Sequence, residues 1–181
     1  MFKHFLSLAL GIFCSISPPG LAVEFPDGRV AFEKGLILLD AYATYNSVRV
    51  KSAIYYFDLE LPEDIGEPLQ QVTIRQRQGS DRLKFHLDRT RVYFGTHNDK
   101  QQELNIAVTQ DEATKAITVV FQPPIPPGNQ VTIGLKPKEN PDIGGVYLFG
   151  ITAFPAGKKP LGLYLGAARL QFYQSGDHFF R

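Results

Sequence analysis

The sequence predicts an all-β protein, a two-sheet antiparallel β-sandwich of immunoglobulin-like architecture, with a closed β-barrel as the alternative topology. Three observations predict it. From about Ala53 onward, apolar residues recur with period two rather than 3.6. The alternating segments are short and rich in β-branched and aromatic residues, and Gly, Pro, Asn and Asp punctuate them at the spacing of a sandwich. No long segment carries a helical period.

The chain begins with a segment of another kind. Met1–His4 hold one Lys and a His, Phe5–Ile16 are an apolar run, and Ser17-Pro18-Pro19 precede the small-residue site Gly20-Leu21-Ala22. This is the layout of a secretory signal peptide, with cleavage expected between Ala22 and Val23. The apolar run is too short to cross a hydrocarbon core of about 30 Å as a helix. Cys14, the single cysteine, follows Phe13, where a lipoprotein signal would place a small residue. Removal of 22 residues from 181 leaves 159, residues 23–181, enough for one domain with its own core.

That mature chain is free of cysteine, so packing must stabilise it without disulfides or thiolate metal ligands. It holds 18 basic and 18 acidic side chains, because the leader takes one Lys of the 19 basic residues and no acid. Neutral balance gives no footprint for nucleic acid or an anionic membrane surface. No later run reaches the 18 or so apolar residues of a transmembrane helix.

The strands are expected in order. Gly35–Leu39 reads as a buried strand, Asp40–Ser47 as a loop or second strand, and Asp64–Gln71 as a stretch with room for a helical turn. In Ile54–Leu61, Tyr55, Phe57, Leu59 and Leu61 share one face and Tyr56, Asp58 and Glu60 the other. Val72 and Ile74 point inward, with Thr73, Arg75 and Arg77 outward, before the turn Gly79-Ser80-Asp81. Leu83, Phe85 and Leu87 alternate with Lys84, His86 and Asp88. Leu104–Thr109 and Ala116–Phe121 form a hairpin joined by Gln110–Lys115. Pro123–Gly128 should be an extended loop crossing between sheets, since proline cannot donate to a ladder. Val131–Leu135, Val146–Phe154 and Leu163–Tyr173 complete the set, with a turn at Asn140–Gly145. Gly150 and Gly166, inside the last two strands, signal bulges or close backbone approach.

Several of these segments together carry a resemblance. Val131–Pro137, Asn140-Pro141-Asp142 and Gly144–Gly157, with its run Tyr147-Leu148-Phe149-Gly150-Ile151-Thr152-Ala153-Phe154-Pro155-Ala156-Gly157, are specific motifs. With Tyr56–Pro62, Gly66–Thr73 and Leu87–Arg91 they resemble a family of exported, mostly cyanobacterial proteins known only as a domain of unknown function. The resemblance covers about Ala53–Tyr173 and implies a secreted or envelope domain. It transfers no catalytic or binding residue.

Candidate chemistry is sparse. Asp58 and Glu60 lie two apart on one strand face, roughly 7 Å from each other, a separation used by paired-carboxylate glycosidases. Placed opposite an apolar face, they read first as a solvated outer surface. His86, His97 and His178 lack the spacing of a metal site, and His97-Asn98-Asp99 reads as a turn. No nucleophile elbow, zinc-protease, phosphate-loop or EF-hand motif occurs, and no cofactor motif is present. Arg75 and Arg77, with Lys84, or Arg89 with Arg91, form basic stripes suited to anionic glycans or phosphate, or else a charged face that discourages edge pairing. Among the eight tyrosines, Tyr56 is the candidate for an exposed sugar-stacking ring. Phe179 and Phe180 at the C-terminus could dock on the sandwich or form a partner-binding tail. The expected function is a non-catalytic module of the periplasm, cell envelope or extracellular space that binds an envelope protein or glycan. A carbohydrate hydrolase or a structural envelope component is the alternative.

Overall fold

A computed structural model describes residues 23–24 and 27–174 of the protein. The proposed leader, its Ala22 cleavage residue, His178 and the two C-terminal Phe therefore lie outside the described residues, while Val23 opens the first strand.

The strands are β1 (Val23–Glu24), β2 (Val30–Ala31), β3 (Ile37–Ala43), β4 (Tyr55–Glu60), β5 (Leu69–Gln78), β6 (Arg91–Gly95), β7 (Lys100–Glu103), β8 (Ile106–Gln110), β9 (Ile117–Ile125), β10 (Gln130–Leu135), β11 (Gly145–Pro155) and β12 (Leu163–Phe172). A single 3-10 turn spans Leu87–Arg89. Two five-stranded antiparallel sheets form, ordered β3-β4-β10-β6-β7 and β12-β11-β5-β9-β8, with β1 and β2 as a separate pair. Neither sheet closes on itself, so the architecture is an open sandwich and not a barrel.

The core lies between the sheets. Tyr55, Phe57, Leu59, Val131 and Ile133 of the first sheet face Val72, Val119, Phe121, Phe149 and Ile151 of the second, all buried. Aromatic rings meet edge to face across this layer: the Phe57 and Phe149 centroids are 5.7 Å apart and those of Tyr55 and Phe149 are 6.3 Å apart. The Tyr55 hydroxyl donates to Asn140 Oδ1 at 2.8 Å, and the Asn140 amide donates to the Tyr45 and Ser47 carbonyls. A buried polar side chain thus ties the turn before β11 to the loop after β3. Burial holds the Tyr55 phenol well above its ordinary pKa.

Four expectations need correction. Gly35–Leu39 is not a buried strand: only its Leu36 reaches the core, β3 is an edge strand that runs on to Ala43, and Ile37 and Leu39 are 48% and 41% exposed. Asp64–Gln71 holds no helix, and its end enters β5. Leu83–Leu87 alternates but forms no strand, because its one bridge pairs Phe85 with Pro137, which has no N–H with which to extend a ladder. The strand β9 continues through Pro123 and Pro124 to Ile125. Its pairing with β8 ends at Phe121, so these prolines occupy a free edge where a missing donor is tolerated. The crossing to the first sheet follows immediately, at β10.

Candidate functional site: a basic groove on the second sheet

The two outer faces hold Tyr56, Asp58, Glu60, Arg75 and Arg77, and they differ. On the first sheet, alternation places Tyr42, Tyr56, Asp58 and Thr132 on the outer side, but that side is covered. The hairpin between β6 and β7 folds back over it and brings His97 to Asp58. The Asp58 carboxylate accepts the His97 backbone N–H at 3.1 and 3.2 Å and the His97 Nδ1–H at 2.6 Å. The His97 ring stacks on Tyr42 with centroids 4.7 Å apart. Lys100 Nζ lies 4.3 Å from the Tyr56 ring centre and donates to the Tyr56 hydroxyl at 3.2 Å.

Asp58 is therefore 2% exposed and Tyr56 8% exposed, which corrects the reading of both as members of a solvated face. Glu60, two residues on, is only half-buried and lines an open cleft of about 470 Å³ with Glu63, Asp99 and Asn129. The two carboxylates thus do not share a cavity: Asp58 is committed to His97, and Glu60 faces solvent. Among the described residues, no group of three or more His, Cys, Asp or Glu side chains could hold a metal ion.

The second sheet presents the opposite chemistry. Its five strands contain three arginines, Arg75, Arg77 and Arg169, and no Asp or Glu. Arg169 donates to Gln171. Arg75 and Arg77 are exposed, as the alternation predicts, and neither makes an ion pair or side-chain hydrogen bond among the described residues. They line a groove of about 230 Å³ with Thr73, Thr114, Ala116, Gly150, Thr152 and Tyr164.

Two bulges and a glycine build this groove. On β5, Gln76 pairs with Phe149 and Gln78 with Leu148, so Arg77 is an extra residue in the ladder. On β12, Gly166 pairs with Ile151 and Tyr164 with Thr152, so Leu165 is extra. Ala168, Leu170 and Phe172 point into the core, and an unbroken alternation would send Tyr164 inward with them. The bulge reverses that parity, with Gly166 at φ +116°, and leaves the Tyr164 ring 54% exposed over the groove. Gly150 forms the floor directly opposite Arg75. A Cβ there would lie 3.2 Å from Arg77 Cγ and Nε and 3.3 Å from Tyr164 Cε2. The missing side chain is what lets the Arg77 stem and the Tyr164 ring meet above β11.

Alternation thus places Arg75 and Arg77 outward, where the structure has them, while the exposed ring is that of Tyr164 and not that of Tyr56. Gly166, flagged as a bulge signal, was the one trace of Tyr164's position. The arrangement can offer two guanidinium forks to anionic oxygens, threonine hydroxyls to hydrogen-bonding groups, and an aromatic face to a flat ring.

No curated protein matches the sequence. Among solved structures, a collagen-binding domain from a Staphylococcus aureus adhesin is similar at 10% identity and a TM-score of 0.38, covering 67% of this chain and 87% of its own. A cohesin module from a Clostridium perfringens family 33 glycoside hydrolase is similar at 13% identity and a TM-score of 0.40, covering 77% and 99%. AvmM, which catalyses macrocyclization in alchivemycin A biosynthesis, is similar at 10% identity and a TM-score of 0.41, covering 89% and 100%. The family model described as "Protein of unknown function (DUF2808)" matches residues 29–172, a longer stretch than the motifs alone span, and the chain belongs to that family.

Proposed function

We propose that the protein is an exported, non-catalytic binding module of the cell envelope that engages its ligand through the outer face of the second sheet. One observation carries the reading: a five-stranded sheet with three arginines and no acid presents Arg75 and Arg77, without partners among the described residues, beside an exposed tyrosine. Unpaired like charges side by side repel each other, so their joint exposure over a shaped groove is better accounted for by a ligand than by stability. The leader-like N-terminus supports export to the periplasm, envelope or extracellular space. In this reading the family is one of exported, mainly cyanobacterial proteins, and its Tyr147–Gly157 stretch supplies the groove floor through Gly150 and Thr152.

The test is in-cell cross-linking of the tagged protein, followed by recovery from envelope, peptidoglycan and polysaccharide fractions. We expect protein starting at Val23 to be recovered with one reproducible envelope component, and the double variant Arg75→Gln/Arg77→Gln to lose that component. Identical capture by the double variant removes the groove from the function. An intact Met1 terminus in a cytoplasmic fraction removes the export premise.

A further inference from the structure

We propose that the groove ligand is a carboxylate-bearing polysaccharide, a glycan containing uronic acids, bound along the β5–β12 direction across Gly150. The inference rests on the binding-module reading above and names the chemical class for that same site.

Charge density points to this class. Arg75 and Arg77 lie two residues apart on one strand, so their anchor points are separated by no more than roughly 7 Å. They are the only two cations in the lining, with no acid among it. Two isolated guanidiniums suit a chain whose negative charges are set a sugar ring apart; a polyphosphate, with its charges separated by a single bridging oxygen, would need a denser cation row. Guanidinium forks match carboxylates in a planar, two-point geometry.

The rest of the groove is suited to a sugar, not to a bare anion. Thr73 and Thr152 are paired through β5 and β11, and the Thr73 hydroxyl lies 3.4 Å from that of Thr118, so a row of hydroxyls runs beside the arginines. Each can donate to or accept from ring hydroxyls. Tyr164, opposite Thr152, presents its ring at the end of that row, where a pyranose face can stack. Gly150 keeps the floor flat enough for an extended chain to lie down.

The experiment uses protein purified from the envelope fraction, with oligomers of polygalacturonate, alginate and a glucuronate polymer as probes. Controls are the same oligomers with their carboxyl groups reduced to alcohols, and inorganic polyphosphate. We expect at least one uronate polymer to bind with an affinity that falls as salt rises, and its reduced form to bind at least tenfold more weakly. Arg75→Gln/Arg77→Gln should lose at least tenfold. Tyr164→Ala and Gly150→Ala should each lose several-fold, with thermal midpoints close to that of the parent protein to show that folding is intact. Binding of polyphosphate as tight as that of every uronate, or equal binding of the reduced polymers, overturns the proposal. So does the absence of binding to all three uronates. If that absence accompanies groove-dependent capture of an envelope protein, only this inference falls. If capture also ignores the arginines, the binding-module reading falls with it.

Discussion

The two outer faces of the sandwich treat charge in opposite ways. The strands of the first sheet hold four acids, Asp40, Asp58, Glu60 and Glu103, and two cations, Arg91 and Lys100. Much of that charge is engaged internally: Asp58 by His97, Lys100 by Tyr56, and Arg91 by Glu103 at 3.2 Å. The strands of the second sheet hold three cations and no acid, and two of them are unengaged among the described residues. A charged residue on a strand is thus structural where a later segment folds over to meet it, and available to a ligand where nothing does. The difference lies in the connections: the β6–β7 hairpin covers the first sheet, while no described segment covers the groove side of the second.

This contrast can be broken at its strongest point. Asp58→Ala removes a buried carboxylate that accepts from two His97 donors, the backbone N–H and Nδ1–H, and leaves both without their acceptor. It should lower stability by about 3 kcal/mol, read as a shift in the urea midpoint at unchanged slope. A loss under 1 kcal/mol would mean that the hairpin does not depend on this contact.

The layer between the faces gives the next largest effect. Tyr55 has its folded pKa raised by burial, so its stabilising contribution is fully present below the ordinary phenol value near 10. It is lost as pH rises from there toward the folded pKa, because only the unfolded chain ionises. Stability should fall by about 1.4 kcal/mol per pH unit above pH 10 from this group. Tyr147, raised by burial as well, adds in the same direction. Tyr55→Phe should flatten the slope relative to the parent protein, while costing about 1 kcal/mol at neutral pH through the lost Asn140 bond.

The open face should barely respond. Arg75→Gln and Arg77→Gln are each expected to change stability by no more than about 0.5 kcal/mol, since neither guanidinium has a partner to lose. A clear gain in stability from the double variant would sharpen the contrast further, as relief of repulsion between two unpaired cations. A large loss would show that the arginines support the fold after all.

How far these faces could be read in the sequence follows from what period two reports. Alternation assigns each residue to a side of its strand, and it did so correctly for Phe57, Leu59, Val72, Ile74, Arg75 and Arg77. It does not report whether a side is later covered. Asp58 and Tyr56 were misplaced in solvent because their cover arrives with His97, 39 residues downstream. The β6 strand went unread, since Val92 and Phe94 are its only large apolar pair and the polar run Asp88–Arg91 precedes them. Alternation also fails wherever the ladder gains a residue, which is why Tyr164 was not distinguished from the other tyrosines. The glycines did better: Gly166 lies at a bulge and Gly150 at a close approach, the two outcomes their positions signalled.

The extra residue on β12 also makes the surface sensitive to chain length rather than to side-chain identity alone. Deleting Leu165 leaves an odd count from Tyr164 to Ala168, so plain alternation keeps Tyr164 outside with no bulge, whereas closing the bulge at full length turns Tyr164 toward the core and puts Leu165 in its place opposite Thr152. Loss of the bulge without loss of a residue would therefore exchange a wet aromatic platform for a greasy one, without altering the identity of any residue that lines the groove. The residue count between Tyr164 and Gly166, more than the identity of either, thus decides which side chain stands over the groove.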